Sequence, residues 1–86
     1  MNQGLTMTGA SLKILKVGAK GIITGFSHTN DRVMQKLKSM DLRPGMSITL
    51  EQRFPRFIIA AGFQRFALDD TLIHAIYVRP LNRHTS

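Results

Sequence analysis

The sequence predicts a mainly β protein, a small barrel of about five strands with one inserted α-helix and short helical turns. Short runs of β-branched and aromatic residues recur between Gly and Pro, as strands do between turns. Only one segment carries a sustained helical period, and it is framed by capping residues. The chain of 86 residues holds one core, and its apolar fraction of 43% suits a globular fold rather than a disordered tail.

Residues 1–10 carry Gly, Thr, Asn and Gln without a period and read as a flexible lead, with Leu5 and Met7 as candidates for a short edge strand. Ser11 to Gly18 then offers a capping Ser, apolar residues three apart at Leu12 and Leu15, and a closing Gly, which suits one helical turn under a barrel. From Gly21 the run Gly-Ile-Ile-Thr-Gly-Phe reads as a strand, with Gly25 placed for a bend or bulge.

Asn30 is a good N-cap, and Asp31 follows where the helix dipole favours a negative charge. Val33, Met34, Leu37 and Met40 share one face, and Lys36 and Lys38 suit the helix end. Asp41 then stands where a left-handed residue, commonly Gly, leaves a helix.

Arg43-Pro44-Gly45 is a tight-turn signal. Met46, Ile48 and Leu50 alternate with Ser47, Thr49 and Glu51, giving a strand with one buried face. After a loop over Gln52 to Arg56, Phe57–Ala61 and Phe63–Leu68 form a hairpin around Gly62. Asp69-Asp70-Thr71 caps a helical turn, and Ala75–Arg79 closes as the last strand before Pro80. The expected organisation is a lead over 1–10, a domain over 11–82 and a tail over 83–86. Pattern alone does not choose among SH3-like, OB-like and Sm-like barrels.

Twelve Lys and Arg against five Asp and Glu give a net charge of +7, an attraction for anionic partners such as nucleic acid, a membrane surface or an acidic protein face. The basic residues are spread from Lys13 to Arg83 without a run, which equally suits a charge that only keeps a small domain soluble. There is no Cys, so neither a disulfide nor a thiolate metal site is available. The first ten residues do not read as a secretory signal, and no stretch approaches the roughly 20 apolar residues of a membrane span. A soluble, intracellular protein is expected.

Catalytic chemistry is not evident. Gly18-Ala19-Lys20-Gly21 lacks the spacing and the hydroxyl of a phosphate-cradling loop. His28, His74 and His84 are dispersed with no helical i, i+4 pair, and adjacent Asp69 and Asp70 suit capping better than acid–base work. No catalytic residue, metal ligand or cofactor is assigned. Two surfaces instead suit a partner. Arg53, Phe54 and Arg56 interleave cations with an aromatic stiffened by Pro55, the residue types enriched at binding hot spots. Arg32 and Lys36, with Arg43 nearby, lie away from the apolar stripe of the helix. The plainer alternatives are that Phe54 covers the barrel end and that the helix charges are only solvated.

Ser11-Leu12-x-x-Leu15-x-x-Gly18 resembles the opening of FeoA domains. Leu37-x-x-Met40-Asp41-Leu42-Arg43-Pro44-Gly45-Met46 is similar to the family's helix-to-strand junction, with Asp41 in place of the usual Gly. Gly62 with Phe66-Ala67-Leu68, and Ile76-Tyr77-Val78, match its hairpin and closing strand. The resemblance spans about residues 11–81. It implies an SH3-like barrel, without cofactor, serving ferrous iron uptake as an accessory of the transporter FeoB and its cytoplasmic GTPase domain. It also implies a cytoplasmic location, at the inner membrane face only through the transporter. The competing expectation is a nucleic-acid-binding small barrel, which the charge favours. Most aromatics fall at apolar-face positions, leaving Phe54 and Tyr77 for stacking, so no nucleic acid is expected. Self-association through an unpaired edge strand is a further expectation.

Overall fold

A computed structural model describes residues 9–27 and 30–81. Six strands form one antiparallel sheet: β1 (Ala10–Ser11), β2 (Lys20–Phe26), β3 (Ser47–Gln52), β4 (Phe57–Ala61), β5 (Gln64–Leu68) and β6 (Ile76–Pro80), in the order β1-β6-β2-β3-β4-β5. The strand beyond the expected five is two-residue β1, paired Ala10 to Val78 and Ser11 to Tyr77. Leu5, Met7 and residues 83–86 lie outside the described residues.

Ser11 caps a single 3₁₀ turn over Leu12–Ile14, its hydroxyl accepting from the Lys13 N–H at 3.2 Å. Only those three residues of the expected segment are helical. Leu12 and Leu15 nevertheless both point into the core. β2 shifts register between Ile23 and Gly25 against β6, so the bulge falls where Gly25 suggested it.

Helix α1 spans Asp31–Ser39, and Asn30 Oδ1 accepts from the Val33 N–H at 2.9 Å. Val33 and Leu37 are buried, with Met34 and Met40 packed at their flank. The exit uses two backbone bonds, Leu42 N–H to Leu37 C=O at 3.3 Å and Asp41 N–H to Lys38 C=O at 2.9 Å. This is the Schellman arrangement, and it requires the left-handed φ of 58° found at Asp41. Leu42 is buried beside Leu37, the apolar contact that goes with this exit. Arg43-Pro44-Gly45-Met46 turns next, with φ of 96° at Gly45 and Met46 N–H bonded to Arg43 C=O at 3.2 Å. Ile48 and Leu50 of β3 then face the core as their alternation predicts.

Two expectations need correction. Phe63 is not in β5. It occupies the second position of a two-residue turn whose first residue, Gly62, has φ of 63°, and its side chain is fully exposed. Only Gly62 has positive φ there, so this is a hairpin turn with Gly first, of type II′. Ala75 belongs to α2 (Asp70–Ala75), because Asp69 accepts from Leu72 N–H at 2.9 Å and the turn so capped buries Leu72, Ile73 and Ala75.

Barrel closure is also less complete than expected, since edge strands β1 and β5 are not bonded to each other. Helix α2 packs against β1, β5 and β6. The core between sheet and helices is wholly apolar, with no buried polar side chain among the described residues. Its largest enclosed members are Leu12, Ile23, Leu37, Ile48, Leu50, Ile59, Ile76 and Val78.

Candidate functional site

The β3–β4 loop is shaped by contacts that begin with its own residues. Gln52 Nε2 donates to the Arg56 carbonyl at 3.0 Å, closing the loop on itself. The Phe54–Pro55 peptide is cis. Arg53 turns inward and donates to the Lys13 carbonyl at 2.6 Å, with its guanidinium 5.6 Å from the centre of the Phe57 ring. Phe57 is buried, so the stacked Arg53 rests on the core and ties the loop to the first helical turn. Phe54, at 84% exposure, has no such seat and stands out of the surface.

This loop forms one wall of a cleft of about 740 Å³. The opposite wall comes from Lys36 of α1 and from Asp69 and Asp70 at the start of α2, with Leu72 and Ile73 beneath. Lys36 Nζ lies 4.0 Å from Asp69 Oδ2, an exposed pair that contributes little to stability. Lys13, Lys36, Arg53 and Arg56 thus outnumber the two carboxylates, and the cleft presents a cationic, partly apolar surface.

Four of the six residues singled out in the sequence therefore converge: Arg53, Phe54, Arg56 and Lys36 line one cleft. The loop and the helix, read as two surfaces, are a single one. Arg32 is exposed on α1 one turn before Lys36 but does not line the cleft. Arg43 lies at the far end of α1, where it bonds Asp41 at 3.2 Å. Sequence reasoning missed Lys13, Asp69 and Asp70 as cleft residues. A contact spanning 40 positions, as between Lys13 and Arg53, leaves no local signal. It also missed exposed Phe63, although Gly62-Phe63 between two apolar runs is a legible two-residue turn.

Among the described residues no group of three or more His, Asp or Glu is placed to hold a metal ion. His28 and His84 lie outside the described residues. His74 is exposed, with Nδ1 2.9 Å from the Asp70 carbonyl, which requires the proton on Nδ1. Arg65 on β5 bonds Glu51 on β3 at 2.5 Å, and that hydrogen bond and charge raise the guanidinium pKa further. No helix among the described residues is long and apolar enough to cross a membrane.

A six-stranded antiparallel sheet with an inserted helix, a short second helix and a cleft at one end is the architecture of an SH3-like domain. Residues 10–80 match the model of the FeoA domain. The chain belongs to the FeoA family. It is 46% identical over 77 residues to a Leptolyngbya boryana protein provisionally named Fe(2+) transport protein A, covering 88% of this chain and 94% of that one. It is similar to the crystal structure of an iron uptake regulatory protein (FeoA) at 32% identity, with a TM-score of 0.74 over 87% of this chain and 100% of that one. The zinc complex of Stenotrophomonas maltophilia FeoA, described as a prokaryotic SH3-domain protein, shares the fold at 20% identity with a TM-score of 0.69, over 79% and 87% of the two chains.

Proposed function

We propose that this chain is a cytoplasmic accessory of ferrous iron uptake that acts by binding the GTPase domain of a FeoB-type transporter through the cleft between the β3–β4 loop and α1. Family membership and the name of the Leptolyngbya boryana relative support the iron-transport setting. The Stenotrophomonas maltophilia protein, described as a candidate activating factor of ferrous iron transport, fits the same role. The observation that carries the reading is the convergence of Lys36, Arg53, Phe54 and Arg56 on one cleft. An exposed aromatic anchor ringed by cations suits an acidic face on a protein partner. Arg53, already fixed by Lys13 and Phe57, acts as a preorganised wall, while Phe54 and Arg56 make the contact. Arg32, beside Lys36, and Arg43 add to the positive field that steers the encounter. The domain does no chemistry of its own in this reading. Any nucleotide hydrolysis belongs to the partner.

Nucleic acid is the weaker alternative. The two fully projecting aromatics, Phe54 and Phe63, sit in separate turns rather than side by side on a sheet, and Tyr77 is half-buried. Successive bases have no stacking platform there. The deciding experiment titrates the labelled protein with the transporter's GTPase domain and, in parallel, with a mixed single-stranded oligonucleotide at about physiological salt. Saturable binding to the GTPase domain that Phe54→Ala or Arg56→Ala weakens is the expected result. Binding to the oligonucleotide alone overturns the reading.

A further inference from the structure

Strand β5 ends the sheet, and its outer side is a row of backbone groups with a fixed pattern. The two-residue turn makes Ala61 and Gln64 a hydrogen-bonded pair, and the register continues through Ile59 with Phe66 to Phe57 with Leu68. Arg65 and Ala67 therefore aim their N–H and C=O groups away from β4. No backbone group among the described residues outside the ladder bonds them. Both side chains are exposed, and Arg65 is already held by Glu51.

This pattern is complementary to itself. If a second β5 runs antiparallel about a two-fold axis at Phe66, Arg65 of each copy faces Ala67 of the other. These are the residues with outward backbone groups, and the two pairs close four hydrogen bonds. Phe66, half-buried at the margin of the core, meets its own counterpart at the axis in a close, non-bonded pair. No like charges stand opposite, since each Arg65 faces a methyl group and carries its own carboxylate. The same register brings Phe63, fully exposed at the turn, level with Asp69 of the other copy, at the mouth of the cleft.

We infer that this protein pairs with a second copy of itself by antiparallel extension of the sheet through β5, in the register that sets Arg65 against Ala67. Ala67 also lines the cleft, so the dimer and a partner seated in the cleft compete for that end of β5, and the test below uses this protein alone. A five-residue edge is a small interface, and two chains of +7 repel, so the dimer is weak and strengthens as salt screens that repulsion. The opposite salt trend holds for attraction to an acidic partner.

Sedimentation velocity of the full chain from about 10 μM to about 1 mM, at about 20 mM and about 500 mM NaCl, tests it. A monomer–dimer equilibrium favoured by salt is expected. Ala67→Pro removes an outward N–H while sparing the ladder to β4, and it is expected to lower the association constant at least about tenfold. Because proline disturbs strand geometry, a charge pair on the exposed site gives a second, fold-neutral test. Ala67→Lys faces the other copy's Arg65 and weakens the dimer. Ala67→Glu strengthens it, beyond the effect of Gln35→Glu, which changes net charge equally on α1. A monomer throughout the range, or a dimer that Ala67→Pro and both charge variants leave unchanged, overturns the inference.

Discussion

The two connections that flank β3 differ in kind. From α1 into β3, every step is closed within a few residues: Asp41 takes the left-handed exit, Leu42 covers Leu37, and Arg43 to Met46 turns on Pro44 and Gly45. From β3 into β4, the loop is held by Lys13, which stands 40 positions away, and it leaves Phe54 and Arg56 in solvent. The first connection spends its side chains on its own conformation. The second commits Gln52 and Arg53 to holding the loop but leaves Phe54 and Arg56 exposed, which sets a closed structural joint against an open surface.

If the comparison is right, substitutions in the first connection act on stability and those in the second on binding. The largest effect is expected from Leu37→Ala, which removes both a core side chain and the apolar half of the helix exit. It should cost about 2–5 kcal/mol in denaturant unfolding, with partner affinity unchanged wherever the domain remains folded. Phe54→Ala should weaken binding to the transporter's GTPase domain by about 10- to 100-fold in a titration, with the melting temperature unmoved. A stability loss at Phe54 instead would make the loop a second joint and erase the distinction.

Smaller effects sharpen the first connection. Asp41→Gly removes the strain of a side chain at positive φ and should raise stability by about 1 kcal/mol, read as a shift in denaturant midpoint. Arg43→Ala deletes only an exposed pair with Asp41 and should change stability by less than about 0.5 kcal/mol.

The same contrast explains what was legible in the sequence. Capping by Asn30 and Asp69, the turn at Pro44-Gly45, the bulge at Gly25 and the buried face of β3 all follow from neighbours within a few positions, and the structure realises each one. Residue type pointed to Arg53, Phe54, Arg56 and Lys36, but not to their meeting. That depends on how α1, α2 and the 3₁₀ turn pack around one end of the sheet. Lys13 was invisible because its backbone carbonyl, not its side chain, anchors Arg53. Phe63 was misplaced because an aromatic beside a strand looks like strand. The glycine before it carried the information.

Strand β6 is the last of the described strands yet lies between β1 and β2, bonded to both. The sheet therefore cannot be assembled in the order in which it is synthesised. Until Ile76–Pro80 have cleared the ribosome, β1 has no neighbour and the outer side of β2 is bare. The hairpin of β3, β4 and β5 can form while translation continues, but the N-terminal turn cannot settle until the final strand arrives between them. Because Lys13 sits on that turn, the cleft is among the last parts of the molecule to exist. An incomplete nascent chain thus presents the exposed Phe54 before the cleft beside it has its full lining.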